Sequence, residues 1–262
     1  MTERVPASEL LAFAVEVAAA AGELTQSYFR SADLQVVSKT DGSPVTEADQ
    51  RAEQLIRDAI AQEFPNDSLM GEEYGEGESA GAPSGRQWII DPIDGTKSFT
   101  AGVPLYSNLL AVVDDGVPVL GVLNLPAVGE LLSAVTGHGA FCNGEPIRVS
   151  DKAKLDGAYV MTSSVRYWSE PFLERVLDEG IILRTWGDAY GYAMVATGRA
   201  EAMIDPRVNV WDVAPIGVIL SEAGGAFTDL QGNHEITSGS GIGTNGALHQ
   251  TFLDTFPAAD WR

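Results

Sequence analysis

The sequence predicts an α/β (α+β) protein in which helices pack on sheets in both halves of the chain. Apolar residues recur at helical spacing within residues 8–64. Strand-like runs separated by hairpin signals follow in residues 105–144, and strands alternate with helices from Lys152 onward. Since neither a linker nor a repeat separates the halves, we expect two tightly packed lobes, residues 1–150 and 151–262, with a site between them.

Two helices are predicted in the first 64 residues. One begins after Ser8, its predicted N-cap, and ends at about Tyr28. After a loop at residues 41–44, Thr46 is expected to cap the second helix, which ends at about Phe64. Asp49 lies three residues after Thr46, so it can complete a capping box, support an active site, or do both.

The next segment, residues 65–85, is acidic and rich in glycine, which is typical of a flexible charged loop. Within it, residues 68–70 are predicted to form a short strand that leads into Gly71-Glu72. Glu72 would then follow a strand directly. The glutamates after Glu72 are expected to face solvent.

A buried strand at Trp88–Ile90 leads into the most informative stretch of the chain, Asp91-Pro92-Ile93-Asp94-Gly95-Thr96. The strand is expected to stop at Asp91-Pro92, because proline cannot donate to a sheet ladder. Two carboxylates three residues apart then lie at a strand end, and such oxygen ligands suit Mg²⁺. The N–H groups of Gly95 and Thr96 are available to an anion. An ordinary turn is the alternative interpretation.

The rest of the chain is predicted to hold an antiparallel meander and then a strand–helix alternation. The meander strands are residues 105–113, 117–125, 130–135 and 140–141, joined by turns that include Asp114-Asp115-Gly116 and Asn143-Gly144. The later strands are residues 159–162, 181–186 and 202–204, and the helices are residues 169–179, 189–197, 211–223 and one after Asn245. This alternation favours a mostly parallel second sheet.

Charge and cysteine content exclude several classes of function. With 37 acidic and 16 basic residues, the net charge is −21, so we expect neither nucleic acid nor an anionic membrane as a partner. The same negative charge would repel an anionic ligand, so binding one would need metal ions to invert the local sign. The single cysteine, Cys142, allows no internal disulfide. Without a visible signal peptide or membrane span, a cytoplasmic location is expected.

Three motifs in order resemble those of the inositol monophosphatase family of Mg²⁺-dependent, lithium-sensitive phosphomonoesterases. They are Gly71-Glu72-Glu73, the stretch from Asp91 to Thr96, and Trp211-Asp212 followed by Glu222-Ala223-Gly224-Gly225. The resemblance spans about residues 39–245. It implies a layered α-β-α-β-α sandwich, a small phosphorylated metabolite as substrate, and a possible homodimer.

The resemblance also implies a set of site residues. One Mg²⁺ ion would bind Glu72, Asp91 and the carbonyl of Ile93, a second would bind Asp91, Asp94 and Asp212, and a weaker third would bind Glu72. Glu72 and Thr96 would position and deprotonate a metal-activated water, supported by Asp49. Asp94, Gly95 and Thr96 would contact the substrate, with the N–H groups of Gly95 and Thr96 on the phosphate oxygens.

The substrate branch is suggested by Lys97-Ser98-Phe99 and Gly102-Val103-Pro104, which resemble histidinol-phosphate phosphatases. Asp188 and Asp205 fall where the family contacts the rest of the substrate, and carboxylates suit an ammonium or imidazole group. We therefore expect hydrolysis of L-histidinol phosphate to L-histidinol and phosphate, a step of histidine biosynthesis. The alternatives are an inositol-1-phosphate or broad sugar-phosphate phosphatase, and a family member without catalysis. For the two aspartates, surface charge or helix capping is the alternative.

Overall fold

A computed structural model describes residues 5–32, 34–39, 42, 44–77, 84–258 and 261 of the chain. The helices are α1 (Ala7–Tyr28), α2 (Glu47–Glu63), α3 (Thr96–Thr100), α4 (Glu170–Asp178), α5 (Asp188–Ala196), α6 (Val210–Glu222) and α7 (His249–Thr255), with a 3₁₀ turn at Val165–Tyr167. The strands before residue 150 are β1 (Val36–Ser38), β2 (Pro44–Thr46), β3 (Ser68–Gly71), β4 (Gly75–Gly77), β5 (Arg86–Asp94), β6 (Ser107–Asp114), β7 (Val117–Leu125), β8 (Glu130–Val135), β9 (Ala140–Cys142) and β10 (Glu145–Pro146). The later strands are β11 (Tyr159–Met161), β12 (Ile182–Arg184), β13 (Ala202–Asp205), β14 (Ala226–Thr228) and β15 (Gly241–Thr244).

The larger sheet contains eight strands in the order β10-β9-β8-β7-β6-β5-β3-β4. Its pairings among the described residues are antiparallel except β3 with β5, so the predicted meander is confirmed. At the β6–β7 hairpin, Asp115 and Gly116 adopt φ values of 49° and 84°. Positive φ at both positions matches the twist of the flanking strands, which is why Asp-Gly predicts this turn.

The smaller sheet has the order β12-β11-β13-β15-β14 and is mixed. β11 pairs in parallel with β12 and β13, whereas β15 is antiparallel to both β13 and β14. Strands β11 to β14 therefore run in one direction and β15 runs opposite to them, so the prediction of a mostly parallel sheet is confirmed in strand direction, although only two of the four pairings are parallel. Gly241 and Gly243 lie within β15, and glycine is depleted in strands, so the sequence pattern hid this strand.

Five layers build the sandwich, so the fold class predicted from the resemblance is confirmed. One face of the large sheet, with Trp88 and Ile90, packs against α1 and α2. The opposite face, with Ile89, packs against α6, and α5 and α6 lie between the two sheets. The outer face of the small sheet, with Val160 and Ile204, is covered by α4 and α7. Alternation of side chains along each strand explains how both faces of a sheet become apolar.

Two local predictions need correction. Helix α1 begins at Ala7 with Pro6 as its N-cap, rather than at a Ser8 cap, because the Pro6 carbonyl accepts from the N–H groups of Glu9 and Leu10 at 3.0 and 3.2 Å. Strand β5 also continues through Asp91-Pro92 to Asp94, with a register shift between Asp91 and Asp94. A bulge accommodates a proline that a regular ladder would exclude.

The predicted loop at residues 41–44 lies partly outside the described residues, which include Gly42 and Pro44. Pro44–Thr46 forms β2, which pairs with β1. Glu78 also lies outside the described residues, and Glu76 is exposed, as expected.

Within the described residues, no helix combines the length and apolar character that crossing a bilayer requires. The division into lobes at residue 150 stays a prediction.

Candidate metal centre and substrate cleft

Three carboxylates converge where β5 ends near the start of α6. Ligand oxygens of Asp91, Asp94 and Asp212 all lie within 4.8 Å of one another. The bulge in β5 brings Asp91 and Asp94 to this point. Asp212 is residue N3 of α6 and accepts from the N–H of Asn209 at 2.7 Å, so the helix cap fixes its carboxylate.

Without a cation, the surroundings of Asp91, Asp94 and Asp212 disfavour the ionised form of all three carboxylates. Burial, followed by the charges of Glu72, Asp94 and Asp212, raises the pKa of Asp91 well above its usual range. Burial and the charges of Asp188 and Asp212 do the same to the pKa of Asp94. Burial, with the charges of Glu72 and Asp188, raises the pKa of Asp212 to about 7. A cation placed among the three groups would reverse each of these shifts.

A buried oxygen supports the same conclusion. Oδ1 of Asp91 has no hydrogen-bond partner among the described residues. Buried polar atoms are nearly always satisfied, so an unpartnered carboxylate oxygen inside an acidic cluster is well placed to bind a cation. The donor set consists of oxygen atoms, which suit a hard divalent cation. These residues therefore fit a metal ion.

Glu72 lies in the turn between β3 and β4, next to this cluster. Lys39 donates to Glu72 Oε1 at 2.8 Å and to Glu73 Oε1 at 2.6 Å. These bonds raise the pKa of Lys39, although burial opposes the increase. The Glu73 side chain is 5% exposed, so its assignment to solvent was wrong. Burial raises the pKa of Glu73 to about 7.

Thr96 and Asp49 meet at the other side of the β5 end. The Thr96 hydroxyl donates to the carbonyl of Ile93 at 3.0 Å and lies 3.4 Å from Oδ1 of Asp49. Asp49 Oδ2 accepts from the N–H and hydroxyl of Thr46 at 2.8 and 2.6 Å. The capping role of Asp49 is thus confirmed, and its role in catalysis stays a proposal. Burial raises the pKa of Asp49 to about 6.

Gly95 allows the chain to turn from β5 into α3. Its φ of 78° is left-handed, and a Cβ at this position would lie 2.9 Å from Oδ2 of Asp188. Both constraints favour glycine here. Just before it, Oδ2 of Asp94 accepts from the hydroxyl of Ser107 at 3.1 Å and the N–H of Ala189 at 2.6 Å.

A cleft of about 380 Å³ opens beside the carboxylate cluster. Its lining includes the predicted substrate contacts Asp94, Gly95, Thr96, Asp188 and Asp205, together with Asp212. The structure thus brings these predicted groups into one cavity. Asp49, Glu72 and Asp91 lie behind or beside it and do not line it.

Ser163 organises the two aspartates that were predicted to select the substrate. Asp205 accepts from the N–H and hydroxyl of Ser163, both at 2.8 Å. The N–H of Asp188 donates to the same hydroxyl at 2.8 Å, and Asp188 adopts a left-handed φ of 53°. Burial raises the pKa of Asp205 to about 7 and also raises the pKa of Asp188.

Several cleft residues were missed by the sequence analysis. Tyr192 lines the cleft, and its buried hydroxyl has no partner among the described residues. Burial and the charges of Asp205, Asp212 and Asp94 raise its pKa well above the usual range. Tyr167 and Arg207 also line the cleft, with the Arg207 guanidinium 4.7 Å from the Tyr167 ring centre. Arg207 lies two positions after Asp205 in the sequence, and this proximity was the available signal.

Comparison with known proteins decides the family. The model of the inositol monophosphatase family matches residues 7–259. The chain belongs to the inositol monophosphatase family. It is a phosphatase of this group, whose enzymes are metal-dependent, in agreement with the acidic cluster.

Inositol monophosphatase family members with known names fall into more than one branch. A histidinol-phosphatase from Chlorobaculum parvum is 44% identical over 248 residues, covering 93% of this chain and 95% of the relative. A fructose-1,6-bisphosphatase/inositol-1-monophosphatase from Thermotoga maritima is 40% identical, covering 78% of this chain and 79% of the relative. The crystal structure of extragenic suppressor protein suhB from Bartonella henselae superposes with a TM-score of 0.88 at 29% identity, covering 95% of this chain and 98% of that one.

Proposed function

We propose that this protein is a Mg²⁺-dependent phosphomonoesterase that hydrolyses L-histidinol phosphate to L-histidinol and phosphate. The observation that carries the proposal is the placement of Asp188 and Asp205 in the same cleft as Asp94 and Asp212. The second pair suits a metal and a phosphate group, whereas the first suits the ammonium and imidazole groups of the alcohol. The 44% identity to a histidinol-phosphatase supports the same substrate.

In this proposal, each site residue has a defined task. Glu72, Asp91 and the Ile93 carbonyl would hold one Mg²⁺ ion, and Asp91, Asp94 and Asp212 would hold another. When bound, Mg²⁺ supplies electrostatic stabilisation of phosphoryl oxygens and lowers the pKa of water. The N–H groups of Gly95 and Thr96 would hold two oxygens of the phosphate.

Proton transfer is assigned to residues of the chain. Asp49 orients the Thr96 hydroxyl, which lies 3.4 Å from its Oδ1, and this hydroxyl holds the attacking water. Glu72 accepts the proton of that water. Attack at phosphorus in line with the ester oxygen forms a new phosphorus–oxygen bond as the ester bond breaks. The leaving alkoxide takes a proton from water, and histidinol and phosphate are released.

Inositol 1-phosphate is the second candidate substrate, alone or with other sugar phosphates. The relative from Thermotoga maritima, named for fructose-1,6-bisphosphatase and inositol-1-monophosphatase activity, favours it. Asp188 and Asp205 could then accept hydrogen bonds from polyol hydroxyl groups.

The two candidates differ in a phosphate-release assay at constant Mg²⁺. The panel contains histidinol phosphate, inositol 1-phosphate, fructose 1,6-bisphosphate and 3′-phosphoadenosine 5′-phosphate. We expect the largest kcat/KM with histidinol phosphate, and no turnover in excess chelator. A preference for inositol 1-phosphate would support the second candidate, and full turnover in chelator would remove the metal from the proposal.

A further inference from the structure

Helix α2 carries three charged residues on one face, at intervals of four. Asp49, Glu53 and Arg57 are spaced so that their side chains lie above one another. The first of these reaches Thr96, as described above. The other two reach the turn between β3 and β4, which contains Glu72.

Glu53 is fully buried and accepts hydrogen bonds from three donors at or near this turn. Its exposed fraction is 0%, and it accepts from Arg57 Nε at 2.7 Å. It also accepts from the N–H of Glu73 at 2.7 Å and the N–H of Tyr74 at 3.2 Å. A buried carboxylate is strongly destabilising when unpaired, so these donors fix its position.

Arg57 extends the same set of contacts to the next residue of the turn. Its guanidinium donates to the carbonyl of Gly75 and lies 5.8 Å from the ring centre of Tyr74. Together, Glu53 and Arg57 hold three successive residues that follow Glu72. The turn is thereby fastened to a helix rather than left as a free loop.

Gly71, the residue before Glu72, packs directly against the Glu53 carboxylate. A Cβ at Gly71 would lie 2.1 Å from Oε1 of Glu53 and 2.4 Å from its carboxyl carbon. The Glu53 carboxylate therefore occupies the space that a side chain at position 71 would need. Glu53 therefore contacts the residues on both sides of Glu72, namely Gly71 and Glu73.

We propose that Glu53 is a positioning residue that sets the place of Glu72 at the metal centre. This inference rests on the proposed function, because it takes Glu72 as a metal ligand. Mutation of a residue that holds a metal ligand in place, without touching the metal itself, typically changes metal affinity or activity by about 10- to 100-fold. Glu53 acts through the backbone of the turn and touches neither metal nor substrate in this scheme.

The test compares Mg²⁺ binding by calorimetry in the full-length wild type and in four variants. Glu53→Gln keeps the size of the side chain but removes its charge and one acceptor. Gly71→Ala keeps Glu53 in the sequence, but the added methyl group would push the Glu53 carboxylate aside. This variant tests the positioning role of Glu53 even if Glu53→Gln does not fold. Glu72→Gln tests the ligand itself.

Asp67→Asn is the matched control for general loss of stability. Asp67 is another buried carboxylate of the same sheet region, and it accepts from Ser84 Oγ and Trp88 Nε1 at 2.7 and 2.9 Å. It lines neither the cleft nor the metal cluster. Asp67→Asn should therefore lower the thermal midpoint and leave the Mg²⁺ dissociation constant within about twofold of wild type.

We expect Glu53→Gln and Gly71→Ala to raise the Mg²⁺ dissociation constant about 10- to 100-fold. Because Glu72 is also the proposed proton acceptor, kcat at saturating Mg²⁺ should fall as well. If Mg²⁺ binding is unchanged in Glu53→Gln and Gly71→Ala but weaker in Glu72→Gln, the positioning role of Glu53 is overturned. The proposed function then still stands. An equal rise in Asp67→Asn would also overturn it, because the effect would then follow stability. Unchanged binding in Glu72→Gln would overturn the ligand assignment itself.

Discussion

The N–H of Ala189, in the first turn of α5, donates a 2.6 Å hydrogen bond to Oδ2 of Asp94 at the end of β5. This bond joins a strand of the large sheet to a helix that lies between the two sheets. The same oxygen accepts from Ser107 at 3.1 Å. Asp94 therefore has a structural contact and, in the proposed mechanism, a metal contact.

Asp94→Asn should separate these two contacts. The amide oxygen can still accept from Ala189 and Ser107, but the metal-site charge is lost. We expect phosphate release at saturating Mg²⁺ to fall at least about a hundredfold. In chelator, the thermal midpoint should stay unchanged or rise, because the repulsion from Asp188 and Asp212 is relieved.

Asp58→Asn, an exposed residue of α2, is the control and should change neither quantity. Wild-type turnover in Asp94→Asn would remove Asp94 from the metal site. A large fall of its thermal midpoint in chelator would show that the hydrogen bond to Ala189 needs the charge.

The metal-free protein should lose stability as pH rises from about 4 to about 7. Burial raises the pKa of Asp205 and Asp212 from 3.8 to about 7, so the folded state binds more protons than the unfolded state in this window. Stability from these groups is complete below about pH 4 and disappears as pH rises through their folded pKa. Bound Mg²⁺ favours the ionised carboxylates and should flatten this dependence near neutral pH.

Urea unfolding at several pH values, with chelator and with Mg²⁺, measures this difference. Asp212→Asn removes one of the raised groups, so its metal-free curve should have a smaller slope than that of wild type. Parallel curves with chelator and with Mg²⁺ would contradict the expectation.

Two glycines, Gly121 in β7 against α6 and Gly217 inside α6, should respond oppositely to alanine. A Cβ at Gly121 would lie 2.3 Å from the carbonyl oxygen of Pro215, so Gly121→Ala should destabilise the protein by about 1–3 kcal/mol. Gly217 is inside α6, and its nearest neighbour to a Cβ is Phe227 at 3.7 Å. Gly217→Ala should therefore stabilise by up to about 1 kcal/mol. Urea unfolding measures both, and a stable Gly121→Ala would mean that the helix and sheet can move apart.

The sequence placed the parts of the site that depend on local chemistry. Thr46 and Asp49 form the capping box that the S/T-x-x-D spacing predicts, and Asp212 lies at N3 of its helix. The hairpin at Asp115-Gly116 likewise follows from backbone preferences alone. Such features need only a few neighbouring residues, so a sequence pattern contains them.

Features that depend on distant contacts were not predictable. The bulge that lets β5 pass through Pro92 depends on pairing with β6, and Asn108 of that strand donates to the Pro92 carbonyl at 2.7 Å. The burial of Glu73 depends on Lys39, 34 positions away. Tyr192 lies within the helix predicted at residues 189–197, but only the tertiary fold places it at the cleft.

Substrate selection depends on how Asp188 and Asp205 are held. Both oxygens of Asp205 accept from Ser163, so replacing Asp205 also disturbs Ser163. Ser163→Ala is therefore a necessary control, because it removes the hydroxyl shared by Asp205 and the Asp188 N–H but keeps both carboxylates. It should lower kcat/KM similarly for any phosphate ester that enters the cleft.

Asp188→Asn and Asp205→Asn should instead discriminate between substrates. Contacts to the metal and phosphate are common to both esters, whereas an ammonium–carboxylate contact exists only with histidinol phosphate. A hydrogen bond to a charged group contributes about 1.5–3 kcal/mol, so kcat/KM should fall about tenfold or more further for histidinol phosphate than for inositol 1-phosphate. Equal losses would leave both aspartates with only a structural role. A larger loss with inositol 1-phosphate would mean that these carboxylates accept from polyol hydroxyl groups.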